Sequence, residues 1–220
     1  MNRNNWRKSA AVFHDRAAEY DSWFEDSLLF DIEVAAIQAL EIPELRPALE
    51  IGVGPGRFAS TFSSDFGIDP ANAPLHLAAA RNIKVCQAVG EALPFATESF
   101  QRISIFFTLC FVQDPSMVLQ ECYRVLKTGG NLILGFVPAN SPWGKALLKK
   151  KEAGHPFYEH ARFFSTEACE TLILNNGFTI INTSSSLYQK PGNVYSMETP
   201  RAKRDNNAGF TALTLQKETR

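Results

Sequence analysis

Short apolar runs alternate with amphipathic ones through the middle of the chain, and that alternation leaves few folds open to it. Pro47 to Gly52, Phe66 to Asp69, Ile83 to Ala88, Arg102 to Phe107 and Asn131 to Val137 read as strands. Segments from Gly56, from Ala71 and over Pro115 to Leu126 read as helices between them. The pattern predicts βαβ units around a mostly parallel sheet. Lys127-Thr128-Gly129-Gly130 ends the last of these helices, its glycines allowing the chain to reverse. Further on, Ser141 to Gly154 reads as a helix, as does the segment opened by the Ser165-Thr166 cap and closed at Asn176-Gly177. Phe178 to Leu187 and Ala208 to Gln216 are strand-like with no helix between them, which predicts an antiparallel hairpin at the sheet edge. Ahead of the sheet, apolar spacing predicts one helix over Ala10 to Tyr20 and another over Leu28 to Leu40, stopped by Pro43 and Pro47.

With 220 residues, 45% of them hydrophobic, the chain can bury one core of the larger kind, so a single domain is expected. A formal net charge of -1 supplies no basic field for a phosphate backbone, which points away from nucleic acid and toward a small molecule. Cys86, Cys110, Cys122 and Cys169 are scattered without a C-x-x-C pair and are expected to be reduced and inert. The basic first residues are not followed by the apolar stretch of a signal peptide, and no run approaches eighteen apolar residues, so a cytoplasmic protein with no membrane partner is expected.

The sharpest local signal is Glu50-Ile51-Gly52-Val53-Gly54-Pro55-Gly56, between a strand and the helix that starts near Arg57. Ligands of open α/β sheets bind at that carboxyl edge, and glycines let the backbone turn sharply and approach a ligand closely. A nicotinamide fingerprint starting at Gly52 needs glycine or alanine at position 57, where Arg57 is expected to obstruct helix and strand packing. Glu50 also repels a diphosphate but attracts an α-amino group.

Glu50-x-Gly52-x-Gly54-x-Gly56 resembles the first motif of class I S-adenosylmethionine-dependent methyltransferases, of the type 11 small-molecule subgroup. Asp69, in Gly67-Ile68-Asp69-Pro70, matches that family's ribose-binding acid, and a carboxylate can accept two hydrogen bonds from a diol. Gly90-Glu91-Ala92-Leu93 with Pro94-Phe95 is similar to the loop lining the family's adenine pocket, although Val89 stands where an aspartate is common. Glu121-x-x-Arg124-Val125-Leu126-Lys127-x-Gly129-Gly130 is similar to the family's turn into the fifth strand, and Tyr20-Asp21 looks like its lid tyrosine. The resemblance implies a Rossmann-like, doubly wound, mostly parallel seven-stranded sheet with an antiparallel C-terminal hairpin and an N-terminal helical lid. It divides the single domain into a lid (1–42), a cofactor-binding half (47–138) and an acceptor-side insertion with the hairpin (139–220). It also implies S-adenosylmethionine as cofactor and S-adenosylhomocysteine as product, with Tyr20, Glu50, Gly52, Gly54, Gly56, Asp69, Pro70, Gly90, Glu91, Ala92, Leu93, Phe107 and Thr108 around it.

Displacement of a sulfonium methyl asks mainly for alignment and exclusion of water, and no G-x-S-x-G, H-E-x-x-H or G-x-x-x-x-G-K motif is present. Candidates for the acceptor side are Tyr20, His155, Tyr158 and His160 as catalytic groups, and Trp23, Trp143 and Arg162 as substrate contacts. Tyr20 and Trp23 can equally be ordinary packing, Trp143 next to Pro142 is more often core than a substrate platform, and five positions between His155 and His160 do not make a helical metal pair, so no metal is expected. The acceptor is expected to be a small molecule, and the protein a monomer or homodimer. A non-catalytic module that keeps S-adenosylmethionine and a nicotinamide-dependent oxidoreductase are the competing readings.

Overall fold

A computed structural model describes residues 5–217. Its sheet has seven strands in the order β3-β2-β1-β4-β5-β7-β6. β1 (Ala48–Ile51), β2 (Phe66–Asp69), β3 (Lys84–Gln87), β4 (Phe100–Phe106) and β5 (Leu126–Phe136) run parallel, whereas β7 (Phe210–Lys217) is antiparallel to both β5 and β6 (Phe178–Ser186). The late hairpin therefore forms with β7 inside it and β6 at the edge. Every residue of β1 is buried, as befits a strand covered on both faces.

The connecting helices start where the sequence offers caps. Asp114 accepts the amides of Ser116 and Met117 at the start of α6 (Pro115–Val125), and Ser165 accepts that of Ala168 at α8 (Thr166–Asn175). α7 (Pro142–Glu152) is capped by Ser141, whose hydroxyl accepts from Gly144 and donates to the Pro138 carbonyl. α4 (Arg57–Thr61) and α5 (Asn72–Ala80) complete the first half. One core lies between the sheet and α6 and α8, where Leu49, Ile51, Ile103, Ile105, Leu119 and Ile173 pack. The other face buries Phe106, Ile133, Phe210 and Ala212 against Ile32, Ala36 and Ile37 of α3 (Leu28–Gln38).

Two expectations change. The first N-terminal helix is in fact α1 (Asn5–Asp15) and α2 (Ala17–Ser22), separated at Arg16, whose φ of -120° and ψ of 30° are not helical. Lys127 to Gly130 follow the end of α6 with Gly129 left-handed as expected, at a φ of +75°, but they lie within β5 rather than in a separate turn. α6 runs directly into β5, and those residues form a bulge, since the register passes from Phe100 opposite Leu126 to Arg102 opposite Asn131. All four cysteines are free, and Cys86 is exposed on β3. Among the described residues no helix is long and apolar enough to cross a membrane.

Gly144 lies where α7 leaves the end of β5: an added Cβ would come within 2.0 Å of the Pro138 carbonyl oxygen and 2.7 Å of Ala139 Cα. Gly144→Ala should therefore cost about 1–3 kcal/mol of stability, the scale for overpacking against a fixed backbone. Urea unfolding checks this, and an unchanged midpoint would mean the turn yields freely.

Candidate active site

The carboxyl ends of β1 and β2 are stitched to the glycine turn. The amides of Gly52 and Val53 both donate to the Ile68 carbonyl, at 2.8 and 2.9 Å. Gly54 donates to Asp69 Oδ2 at 3.0 Å, and Ala71 donates to Asp69 Oδ1 at 2.8 Å. Burial nevertheless pushes the Asp69 carboxyl up, to about 6, against the lowering effect of those two amides. Gly52 has a φ of +70°, and a Cβ there would come within 2.2 Å of Thr108 Oγ1. Only a glycine lets Thr108, whose hydroxyl reaches the Phe106 and Gly52 carbonyls, close over the turn.

A cavity of about 90 Å³ opens on this turn. Gly52, Gly54, Asp69, Pro70, Gly90, Glu91, Phe107 and Thr108 line it, with Tyr20 and Phe13 from the N-terminal helices. These sequence candidates are thus brought together. Others are not among its walls. Glu50, 2% exposed, points with the alternation of β1 to the face opposite Leu49 and Ile51, where burial raises its pKa well above the usual value despite Arg102. Gly56 (φ +84°) instead permits packing, since a Cβ would meet Ile83 at 2.7 Å and Ala78 at 2.9 Å. Ala92 and Leu93 stand behind the cavity, where Leu93 N donates to Glu121 and Arg124 grips the Phe95 and Leu93 carbonyls. Glu91 accepts the amides of Gln113 and Asp114, at 2.7 and 3.1 Å, and so also holds the loop after β4.

Arg57 also acts differently from expectation. It does not crowd the helix and strand packing, because its guanidinium turns outward to Asp21, with Nε to Oδ1 at 2.6 Å, and to Glu25 at 3.0 Å. Arg81 reaches the same carboxylate from the end of α5 and also donates to the Pro55 carbonyl. Two guanidinium partners hold the Asp21 carboxyl below its ordinary value despite burial. The lid is therefore fastened to the glycine turn beside Tyr20.

A second, larger cavity of about 330 Å³ lies on the other side of Tyr20, which lines both, as do Phe13, Phe107 and Phe111. Its walls include Trp23, Phe24, Trp143, His155, Phe157 and Tyr158. The Tyr20 ring makes edge contacts with Phe13, Trp23 and Phe24 at 5.0, 5.4 and 5.3 Å between centroids. Burial raises both tyrosine pKa values, that of Tyr158 to about 12, so their hydroxyls stay protonated at neutral pH. His155 is held toward its neutral form by burial and by Lys150, and its Nδ1 has no partner among the described residues. Trp143 donates to the Gln189 carbonyl at 2.8 Å. His160, 3.9 Å from Glu159, and Arg162, exposed over the Phe164 ring, do not line the cavity. Among the described residues no cluster of ligands could hold a metal.

The sequence reading missed Glu33, Phe13 and the Asp21 latch. Glu33 was signalled faintly, as an acid one turn after Leu29 on the apolar face of α3, whose other polar residues, Asp31 and Gln38, are exposed. Phe107 is another unforeseen feature: its φ of +56° is rare for a bulky residue, and its ring stacks on Phe210 at 5.1 Å.

A methyltransferase domain model matches residues 49–134. A crystal structure from Thermotoga maritima, described as an S-adenosylmethionine-dependent methyltransferase and possible histamine N-methyltransferase, is 33% identical and superposes with a TM-score of 0.88 over 96% of this chain and 100% of its own. The chain belongs to the S-adenosylmethionine-dependent methyltransferases. An uncharacterised protein of Mycobacterium tuberculosis is 38% identical over 210 residues, which are 94% of this chain and 73% of that protein. The ubiquinone/menaquinone biosynthesis C-methyltransferase of Haemophilus ducreyi is 32% identical over 144 residues, 57% of this chain and 55% of its own. As a family member the chain is a methyltransferase-domain enzyme, and the methyl donor of that family is S-adenosylmethionine.

Removing the latch carboxylate should loosen the lid without unfolding the sheet. In Asp21→Ala, amide exchange over α2 should quicken by about tenfold, the scale of a partly buried paired network. Exchange unchanged from the parent protein would mean that the ring contacts of Tyr20 alone hold the lid.

Proposed function

We propose that this methyltransferase binds its donor in the smaller cavity and transfers the methyl to a small, mainly apolar molecule in the larger one. The observation that carries the reading is the shared wall: Tyr20, Phe13, Phe107 and Phe111 border both spaces, so ligands in the two cavities meet there. That arrangement favours transfer over a module that merely keeps the donor. It also gives no advantage to nicotinamide chemistry.

The residues present suit the donor. Each Asp69 oxygen accepts one main-chain amide and has further lone pairs for a ribose diol. Gly90, Glu91 and Pro70 offer a surface for the adenine, and Gly52, Gly54 and Thr108 border the amino-acid arm. When bound, the donor supplies an activated sulfonium methyl, so the protein's own contribution is position and dryness. The smaller cavity falls short of the ~300–1,000 Å³ of ordinary ligand sites. Entry therefore requires α1 and α2 to move, and the contacts of Asp21 with Arg57 and Arg81 then refasten them. Protonated Tyr20 and Tyr158 hydroxyls act as hydrogen-bond donors or acceptors, and neutral His155 is available to take a proton from an acceptor that arrives with one.

Isothermal titration of the donor tests the ribose assignment. Asp69→Ala should weaken binding by about 1–3 kcal/mol, and wild-type affinity in the variant would remove Asp69 from the site. The pH dependence has a definite sign. Because ribose hydroxyls donate to the ionised carboxylate, affinity should be level above pH 7 and fall as pH drops through the Asp69 value of about 6. A profile flat down to pH 5, in a range where circular dichroism shows the fold intact, would contradict it.

A further inference from the structure

Glu33 is out of place by the logic of packing alone. Its neighbours on the buried side of α3 are Ile32, Ala36 and Ile37, and Leu29 stands one turn before it. It is 7% exposed, borders the larger cavity, and makes no hydrogen bond or ion pair among the described residues. An unpaired carboxylate in such a setting is costly in its charged form. Burial pushes its carboxyl up to about 8, so in the empty cavity it keeps its proton at neutral pH. An apolar residue would avoid that cost, whereas a cation entering the cavity would supply the missing partner.

The other groups around it are suited to the same guest. Tyr20 and Tyr158 both lie near enough to Glu33 for its charge to raise their pKa values, and they stay neutral. The Cys110 thiol is pushed up to about 12, and His155 is held toward its neutral form. Lys150, the one basic side chain besides His155 among the described walls, is exposed, with Nζ 5.8 Å from the Tyr158 ring centroid. Tyr20, Trp23, Phe24, Phe157 and Tyr158 present aromatic surface, which attracts ammonium groups and buries hydrocarbon alike. An anionic acceptor would gain only the solvated Lys150 and would be repelled by an ionised Glu33.

We infer that the acceptor is a small organic amine, held as its ammonium ion against ionised Glu33 with its apolar body among Tyr20, Trp23, Phe24 and Phe157; Glu33 takes the ammonium proton, and the freed nitrogen lone pair forms the new N–C bond as the methyl–sulfur bond breaks and S-adenosylhomocysteine leaves. Calling this amine the acceptor rests on the methyl-transfer reading above, whereas the amine site itself does not.

The test uses the intact protein saturated with S-adenosylhomocysteine and three probes of similar shape: 2-phenylethylamine, the neutral 2-phenylethanol and the anionic 3-phenylpropionate. Calorimetry should find the amine bound at least about tenfold more tightly than the alcohol, with the carboxylate weakest. Glu33→Gln should narrow the amine's advantage to about threefold or less while S-adenosylhomocysteine affinity stays at the parental value. Equal binding of amine and alcohol by the parent protein, binding of none of the three, or a full amine preference in the glutamine variant would overturn the inference. The parent comparison decides even if that variant fails to fold, and Glu33→Asp should then retain an amine preference. A protein that prefers the amine without binding S-adenosylhomocysteine would keep the amine site and sink the methyl-transfer reading. One that binds S-adenosylhomocysteine without preferring the amine would do the reverse.

Discussion

The hydrogen bond from Gly54 to Asp69 ties together everything built at the carboxyl edge of the sheet. β1 and β2 end side by side because they are parallel neighbours, and the turn after β1 must then fold back over the end of β2. The Ile68 carbonyl receives the first two amides of the turn and Asp69 the next available one, so the loop has one shape. That shape demands a left-handed Gly52 with no side chain, since Thr108 occupies the space a Cβ would need. The same carboxylate is left aimed at the cavity with acceptor capacity to spare. One half-buried acid thus shapes the turn, and desolvation pushes its pKa up to about 6.

Above that edge the lid divides the space in two. Tyr20 is fixed on one side by its ring contacts and on the other by Asp21, whose paired guanidiniums come from α4 and α5. Because Arg81 also holds the Pro55 carbonyl, the lid and the glycine turn share a fastening. An ion-pair cluster of this kind is easier to release than a packed core. The strained Phe107, stacked on Phe210 at the end of β4, completes the partition from below.

Much of this was legible from residues alone. The parallel half of the sheet followed from alternating apolar runs, and the edge hairpin from two strands without a helix between them. Gly52, Gly54 and Asp69 could be placed beside one cavity because a glycine-rich tight turn and an acid ending the neighbouring strand both have residue-level signatures. Glu50 and Gly56 belong to the same motif yet serve the interior, since strand alternation and helix packing direct them away from the cavity. Arg57 illustrates a different limit: its position was right, but its partner Asp21 is 36 residues distant, and no local pattern reports such a pair. The bulge at Lys127 to Gly130 was hidden because glycines serve a turn and a bulge equally well. Glu33 needed the tertiary structure, which alone separates it from the exposed Asp31 of the same helix and places its carboxyl on a cavity wall.

The account depends on two ligands meeting at Tyr20, and a crystal structure with S-adenosylhomocysteine bound measures that directly. The ribose should hydrogen-bond to Asp69, and the sulfur should lie at the boundary formed by Tyr20 and Phe107, facing the aromatic cavity. A nucleoside seated in the aromatic cavity, or a sulfur turned away from Tyr20, would contradict it.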